Sequence, residues 1–127
     1  MNRNPLATDP KAFLWGDQIK DNMFWSIASG VSFWTGFEAI SYWIYASGRL
    51  PIVENAAWFM ASIYILFFWS TTNFYIGHRF LHWKPVYRHV HILHHRNVDL
   101  GPWGGISMHP VEHLLYFSPF VLWWVVP

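Results

Sequence analysis

All eight histidines of the chain fall between positions 78 and 113. His78 and His82 stand four apart in HRFLH, His91, His94 and His95 form HILHH, and His109 and His113 close the set in MHPVEH. On an α-helix, residues three and four apart share a face, with about 6 Å of rise from i to i+4. Each cluster therefore directs two or three imidazoles to one side. Three rings on one turn repel one another when protonated and waste polar atoms against apolar surroundings when neutral. A metal ion resolves that conflict, because neutral imidazole is the commonest nitrogen ligand. Two histidines four apart are a weak signal, but three such clusters in succession are a strong one. The expected ligands are His78, His82, His91, His94 and His95, with His109 as a sixth and His113 as a seventh. His89 faces away from the HILHH set and reads as a residue of the surroundings.

The chain contains no cysteine, so disulfides and thiolate ligands are excluded and any metal is held by nitrogen and oxygen. The only acids near the histidines are Asp99 and Glu112. A single zinc site needs three or four ligands. Seven histidines suit two ions, each with three or more nitrogens, and imidazole accepts zinc, copper, iron and nickel. Neutral ligands leave such a pair strongly positive and so strongly oxidising. Bis-histidine haem is the competing redox arrangement, but it calls for one histidine per helix at membrane depth. A net charge of +1 gives no case for nucleic acid.

The elements that position these residues are apolar. The chain is 54% hydrophobic and 21% aromatic, with only 12% charged residues, about half the charge of a soluble domain. Two runs, residues 23–47 and 56–77, exceed the ~20 residues a helix needs to cross a bilayer. GRLPIVEN joins them, so the pair reads as a transmembrane hairpin. Arg3, Lys11 and Lys20 precede it, Arg79, Lys84, Arg88 and Arg96 follow it, and only Arg49 lies in the turn. That asymmetry puts the N-terminus and the histidines in the cytoplasm. Ser29, Ser32, Gly36 and Ala39 share a narrow small-residue face suited to close helix approach. Glu38 is expected to hydrogen-bond at membrane depth, with Ser62 or Tyr64 as partners. Asp9 and Pro10 have the pattern of a helix start, and Phe13, Leu14 and Ile19 can lie on the bilayer surface. The helix that carries His78 and His82 should end or kink at Pro85. Pro110 suits the first turn of another helix, with His109 beside its start.

The expected fold is thus an all-α integral membrane protein. It has an interfacial segment over residues 1–22, a transmembrane hairpin over 23–77, a histidine region over 78–113 and the start of a third apolar helix over 114–127.

HRFLH, HILHH and MHPVEH after a hydrophobic hairpin resemble the fatty acid hydroxylase superfamily, with HRFLHW and PVYRHVHILHH most similar to its sterol C5-desaturase branch. The likeness covers roughly residues 60–120. It implies a multi-pass membrane enzyme with two non-haem iron ions. Such an enzyme uses O2 and electrons from a reductase or a cytochrome b5-like donor to hydroxylate or desaturate a C–H bond of a sterol or fatty acyl lipid. Members of the superfamily carry a further histidine box downstream of the third region, whereas this chain stops in VLWWVVP. The expectation is therefore a chain truncated before that box. It would bind fewer than two metals and be inactive alone, or serve as an accessory subunit packed against other membrane subunits.

Overall fold

The structure is a computed structural model that describes residues 10–50, 53–97 and 101–125. Its described residues are helix, turn and loop, without a strand. Short 3-10 turns at Pro10–Ala12 and Leu14–Gly16 lead into α1, Gln18–Trp25. The chain continues through a π-helical stretch, Ser26–Val31, into α2, Ser32–Ala46. After the turn comes α3, Ala56–Leu81, then the single turn α4, Lys84–Val86. A second π-helical stretch, Tyr87–His91, leads to α5, Ile92–His95. The 3-10 turn Gly104–Ile106, α6 (Pro110–Phe117) and a 3-10 segment (Ser118–Trp124) complete the fold.

Each boundary has a local cause. The first long helix is capped by Asp17, whose side chain accepts the backbone N–H groups of Ile19 (2.9 Å) and Lys20 (3.1 Å). The expected cap, Asp9, lies outside the described residues, and Pro10 opens only a 3-10 turn. Gly48, at φ 65°, ends the helix in a conformation that favours glycine. Asn55 caps α3 through Ala57 and Trp58. α3 stops one residue short of His82, and Pro85 sits in the first turn of α4, where its missing N–H costs nothing. Pro110 plays the same part in α6, and His109 is its cap, accepting the Val111 N–H on Nδ1 at 3.2 Å.

The third apolar run is not one α-helix. At Pro119 the chain tightens into 3-10 geometry, because proline cannot donate to the carbonyl four residues back; Ser118 lies 2.7 Å from that freed oxygen, on Leu115. This segment and α6 pack against both α2 and α3, so the two long helices meet through it rather than along a shared seam. The Trp69 indole N–H donates to the Pro119 carbonyl (3.1 Å), and the Trp124 indole N–H donates to Ser41 Oγ (2.9 Å). The expected small-residue face is used only at Ser29. A side chain added at Gly36 would meet nothing within 4 Å, and Ser32 and Ala39 are exposed. Contact instead runs along Ser26, Ser29, Gly30, Phe33 and Phe37. The π-helical stretch shifts the helix phase just there. Glu38 is exposed, with no hydrogen bond or ion pair among the described residues.

The interior is mostly polar. Among the described residues, Asp21, Asn22, Ser26, Ser29, His91, Ser107, Glu112 and His113 are buried, against five hydrophobic residues: Phe13, Leu81, Leu93, Met108 and Phe117. Many large aromatic residues, among them Phe59, Phe67, Phe68 and Tyr75 on α3, face outward. α3 is long and apolar enough to cross a membrane, and none of its apolar window is buried inside the protein.

Candidate metal centre

Two helical pairs face each other. His78 and His82 lie at the end of α3, and His91 and His95 span the π-to-α junction after Pro85. Each pair has the i, i+4 spacing that stacks side chains on one face. The Nε2 atoms of His78 and His82 are 3.1 Å apart, and those of His91 and His95 are 2.9 Å apart. Across the two pairs, the ring centroids of His78 and His91 are 4.7 Å apart and those of His82 and His91 are 4.8 Å apart. One nitrogen from each of the four lies within 4.8 Å of every other. A metal–nitrogen bond of ~2.1 Å places donors at right angles roughly 3.0 Å apart, so the 2.9 and 3.1 Å separations fit ligands of one ion. Tyr87 borders the cluster on one side, 5.6–5.9 Å by centroid from His82, His91 and His95, and Phe74 stacks on His78.

His91 is the inner wall of the site, fully buried, whereas His82 and His95 are exposed. Its Nδ1–H donates to Glu112 Oε1 at 2.9 Å, which leaves the Nε2 lone pair turned into the cluster. A ligating histidine commonly gives its second nitrogen to a carboxylate in this way, which fixes tautomer and ring orientation. Burial, reinforced by the neighbouring imidazoles of His95, His78, His82 and His94, pushes the His91 pKa down to about 3. Burial also raises Glu112 to about 7. His91 is therefore neutral, the form that binds metal.

Three other expected ligands lie apart from this set. His94 stacks beside His91 at 5.8 Å and has a buried Nδ1 with no partner among the described residues. His109 uses Nδ1 as a helix cap, with its ring 6.4 Å from Trp25. His113 is fully buried, with Nδ1 2.8 Å from Ser29 Oγ. Among the described residues, no second group of histidines and acids converges as the four do.

Sequence reasoning noted Glu112 only as a nearby acid. The signal was present: a metal-bound imidazole needs an acceptor for its second nitrogen, and few acids are near. The Asp21–Arg96 pair was missed entirely. Arg96 follows His95 directly, and its Nη2 lies 2.7 and 2.6 Å from the two oxygens of the fully buried Asp21. Asp21 also accepts the Leu14 N–H. The pair ties the end of α5 to α1, and the Phe13 ring lies under the guanidinium, burying a residue expected at the bilayer surface.

A sequence profile of the fatty acid hydroxylase family matches residues 63–127. Among curated proteins, the chain is 40% identical over 48 residues to the Delta(7)-sterol 5(6)-desaturase ERG3 of Saccharomyces cerevisiae, covering 38% of this chain and 13% of that protein. It is 32% identical over 76 residues to a putative Delta(7)-sterol-C5(6)-desaturase 2 of Arabidopsis thaliana, covering 55% and 27%. It is 35% identical over 66 residues to the very-long-chain aldehyde decarbonylase GL1-9 of Oryza sativa subsp. indica, covering 51% and 24%. The matches thus span between 13% and 27% of the length of these relatives. No solved structure matches the chain. The profile covers half the chain, including every histidine of the facing pairs, and on that ground the chain belongs to the fatty acid hydroxylase family.

Proposed function

We propose that this chain carries the metal-binding part of a membrane-embedded, non-haem iron protein that oxidises a lipid. The reaction is O2-dependent hydroxylation or desaturation of an unactivated C–H bond, with electrons from a reductase or a cytochrome b5-like donor. The observation that carries this reading is the convergence of His78, His82, His91 and His95, with His91 oriented by Glu112. Relatives named for sterol desaturation and for decarbonylation of very-long-chain aldehydes point to lipid substrates.

In this reading the four histidines hold one iron; His94, His109 and His113 are the remaining donors for a second, and among the described residues they do not converge on one point. Bound iron would activate O2, and O2 would supply the oxidising equivalents that C–H cleavage needs. The residues of the chain do the rest. Glu112 holds the His91 tautomer. Phe74, Leu81 and Met108 keep the inner side apolar. The exposed edges of His82 and His95 leave room for O2 and an electron donor. Residues 23–47 and 56–77 cross the bilayer, with the histidines at the cytoplasmic edge.

The test is metal analysis of the detergent-purified chain, followed by supply of O2 and a reductant in the presence of sterol or acyl lipid. Stoichiometric iron that is lost in His91→Ala supports the reading. A metal-free protein that copurifies tightly with another membrane polypeptide supports an accessory subunit instead.

A further inference from the structure

His113 is walled in by atoms of its own chain. Its Nδ1 lies 2.8 Å from Ser29 Oγ, across 84 positions of sequence, and both residues are buried. The backbone carbonyls of Ile106 and His109 also hydrogen-bond to the ring. A carbonyl only accepts, so the ring proton is engaged there, and the remaining lone pair is engaged by the Ser29 hydroxyl. Phe33 and Phe117 stack nearly parallel to the imidazole, at 18° and 13°, each with its centroid 6.1 Å away. A neutral ring enclosed in this way has no nitrogen left for a metal. The convergent group of four histidines does not include it.

The seat of His113 is the π-helical stretch Ser26–Val31. Such stretches are frequent at functional sites, and this one aims three successive contacts at α6 and the loop before it. Ser26 Oγ donates to the Trp103 carbonyl at 2.8 Å, and Ser29 faces His113. Gly30 lets the ring come close, because a Cβ there would lie 3.1 Å from His113 Nε2 and 3.4 Å from the Ile106 carbonyl oxygen. The residue before His113 is Glu112, whose carboxylate accepts the His91 Nδ1–H at 2.9 Å. Neighbouring helical residues point about 100° apart at 3.6 residues per turn. α6 therefore turns one flank to the first membrane segment and the next to the metal centre. It has only eight residues, and its internal hydrogen bonds do not set its rotation about its own axis.

We propose that His113 is a positioning residue and not a ligand: anchored on Ser29, it fixes the rotation of α6 and so presents Glu112 to His91. This takes His113 out of the donors for a second iron and leaves His94 and His109. The inference rests on the metal-binding reading for its effect on affinity, whereas the orientation of His91 is a property of the metal-free chain.

The test uses the full chain in detergent micelles, with isotopically labelled histidine rings read by nitrogen NMR. Ser29→Ala removes only a hydroxyl, and His113→Phe keeps an aromatic ring in the slot without its hydrogen bonds. In the metal-free wild type, His91 is expected to carry its proton on Nδ1, and both variants should lose that single tautomer. In competition with a chromophoric chelator, both should bind zinc about tenfold more weakly, with metal per chain at saturation unchanged. Neither should add to the loss caused by Glu112→Gln, because each acts through that carboxylate. Ser32→Ala, on exposed surface of the same helix, should leave tautomer and affinity as they are. Zinc saturation should leave the His113 ring signals in place. A coordination shift at His113, or a lower metal stoichiometry in His113→Phe, would make it a ligand and overturn the proposal. An additive loss with Glu112→Gln, or an intact His91 tautomer in Ser29→Ala, would confine His113 to holding the fold together and overturn it equally. A chain that takes up neither zinc nor iron refutes the metal-binding reading alone, since the His91 tautomer still decides the role of His113.

Discussion

Replacing Glu112 by glutamine separates what that carboxylate does for the metal from what it costs the fold. The Glu112 side chain is buried and lies 2.9 Å from His91 Nδ1. Glutamine keeps the shape and a carbonyl acceptor but removes the charge that strengthens the His91–metal interaction. Loss of such a partner lowers metal affinity by about 10–100-fold, or roughly 1.4–2.8 kcal/mol at 1.4 kcal/mol per decade. Glu112→Ala should fall at or beyond the weak end, because Nδ1 then has no acceptor. The metal-free fold should respond in the opposite direction. Burial raises the Glu112 pKa from 4.5 to about 7, so the native state holds its proton more tightly than the unfolded chain. The associated stability is present below pH 4.5 and is lost as pH rises through 7, up to roughly 3 kcal/mol. Glutamine cannot ionise and is spared that loss. At pH 8, metal-free Glu112→Gln should be at least as heat-stable as wild type while binding iron or zinc 10–100-fold more weakly. Competition with a chromophoric chelator gives the affinity, and scanning fluorimetry gives the stability. Unchanged affinity would show that Glu112 does not orient a ligand.

His82→Ala, which removes a member of the facing pairs rather than a supporting residue, should weaken metal binding by more than Glu112→Gln in the same chelator assay. Asp21→Asn should lower stability by about 3 kcal/mol, because it leaves the Arg96 charge uncompensated at a largely buried site; detergent-solubilised thermal unfolding reads this out. Gly30→Ala should destabilise by roughly 1–3 kcal/mol, since its Cβ would sit 3.1 Å from His113 Nε2. Gly36→Ala, with open space around it, should be neutral or gain up to about 1 kcal/mol. Burial and neighbouring imidazoles lower the pKa values of His91 and His95, so protons compete weakly for their nitrogens. Bound metal should therefore persist at pH 6 and leave only in stronger acid, as followed by metal content after gel filtration.

The facing pairs were legible because i, i+4 spacing is a local property: His78/His82 and His91/His95 needed only the helical period. The Pro110 helix start and its His109 cap were readable for the same reason. What sequence could not supply was phase and partner. The π-helical stretch over Tyr87–His91 alters the register of the helix that follows, and the site takes the i, i+4 partner His95 and leaves His94 beside it. Glu112 reaches His91 only because α6 folds back 21 positions later. Asp21 reaches Arg96 across 75 positions. The small-residue face failed as a guide because the helix changes phase at Ser26–Val31, which moves the contact from Ser32 and Gly36 to Gly30 and Phe33. The apolar run after Leu114 lost its α-helical geometry to one proline.

The distribution of polar residues inside and aromatics outside also bears on how such a sequence can drift. On the outer face of α3, Phe67 or Phe68 asks only for an apolar side chain of some size, and many substitutions meet that demand. Ser26, Ser29, Asp21 and Glu112 each answer to particular atoms on other elements, at hydrogen-bond distance. Substitutions there must be matched by a second change elsewhere. Variation among descendants of this chain should therefore gather on its periphery and spare its centre. The spared residues would be hydrophilic, the reverse of the apolar core whose identity resists change in a water-soluble domain.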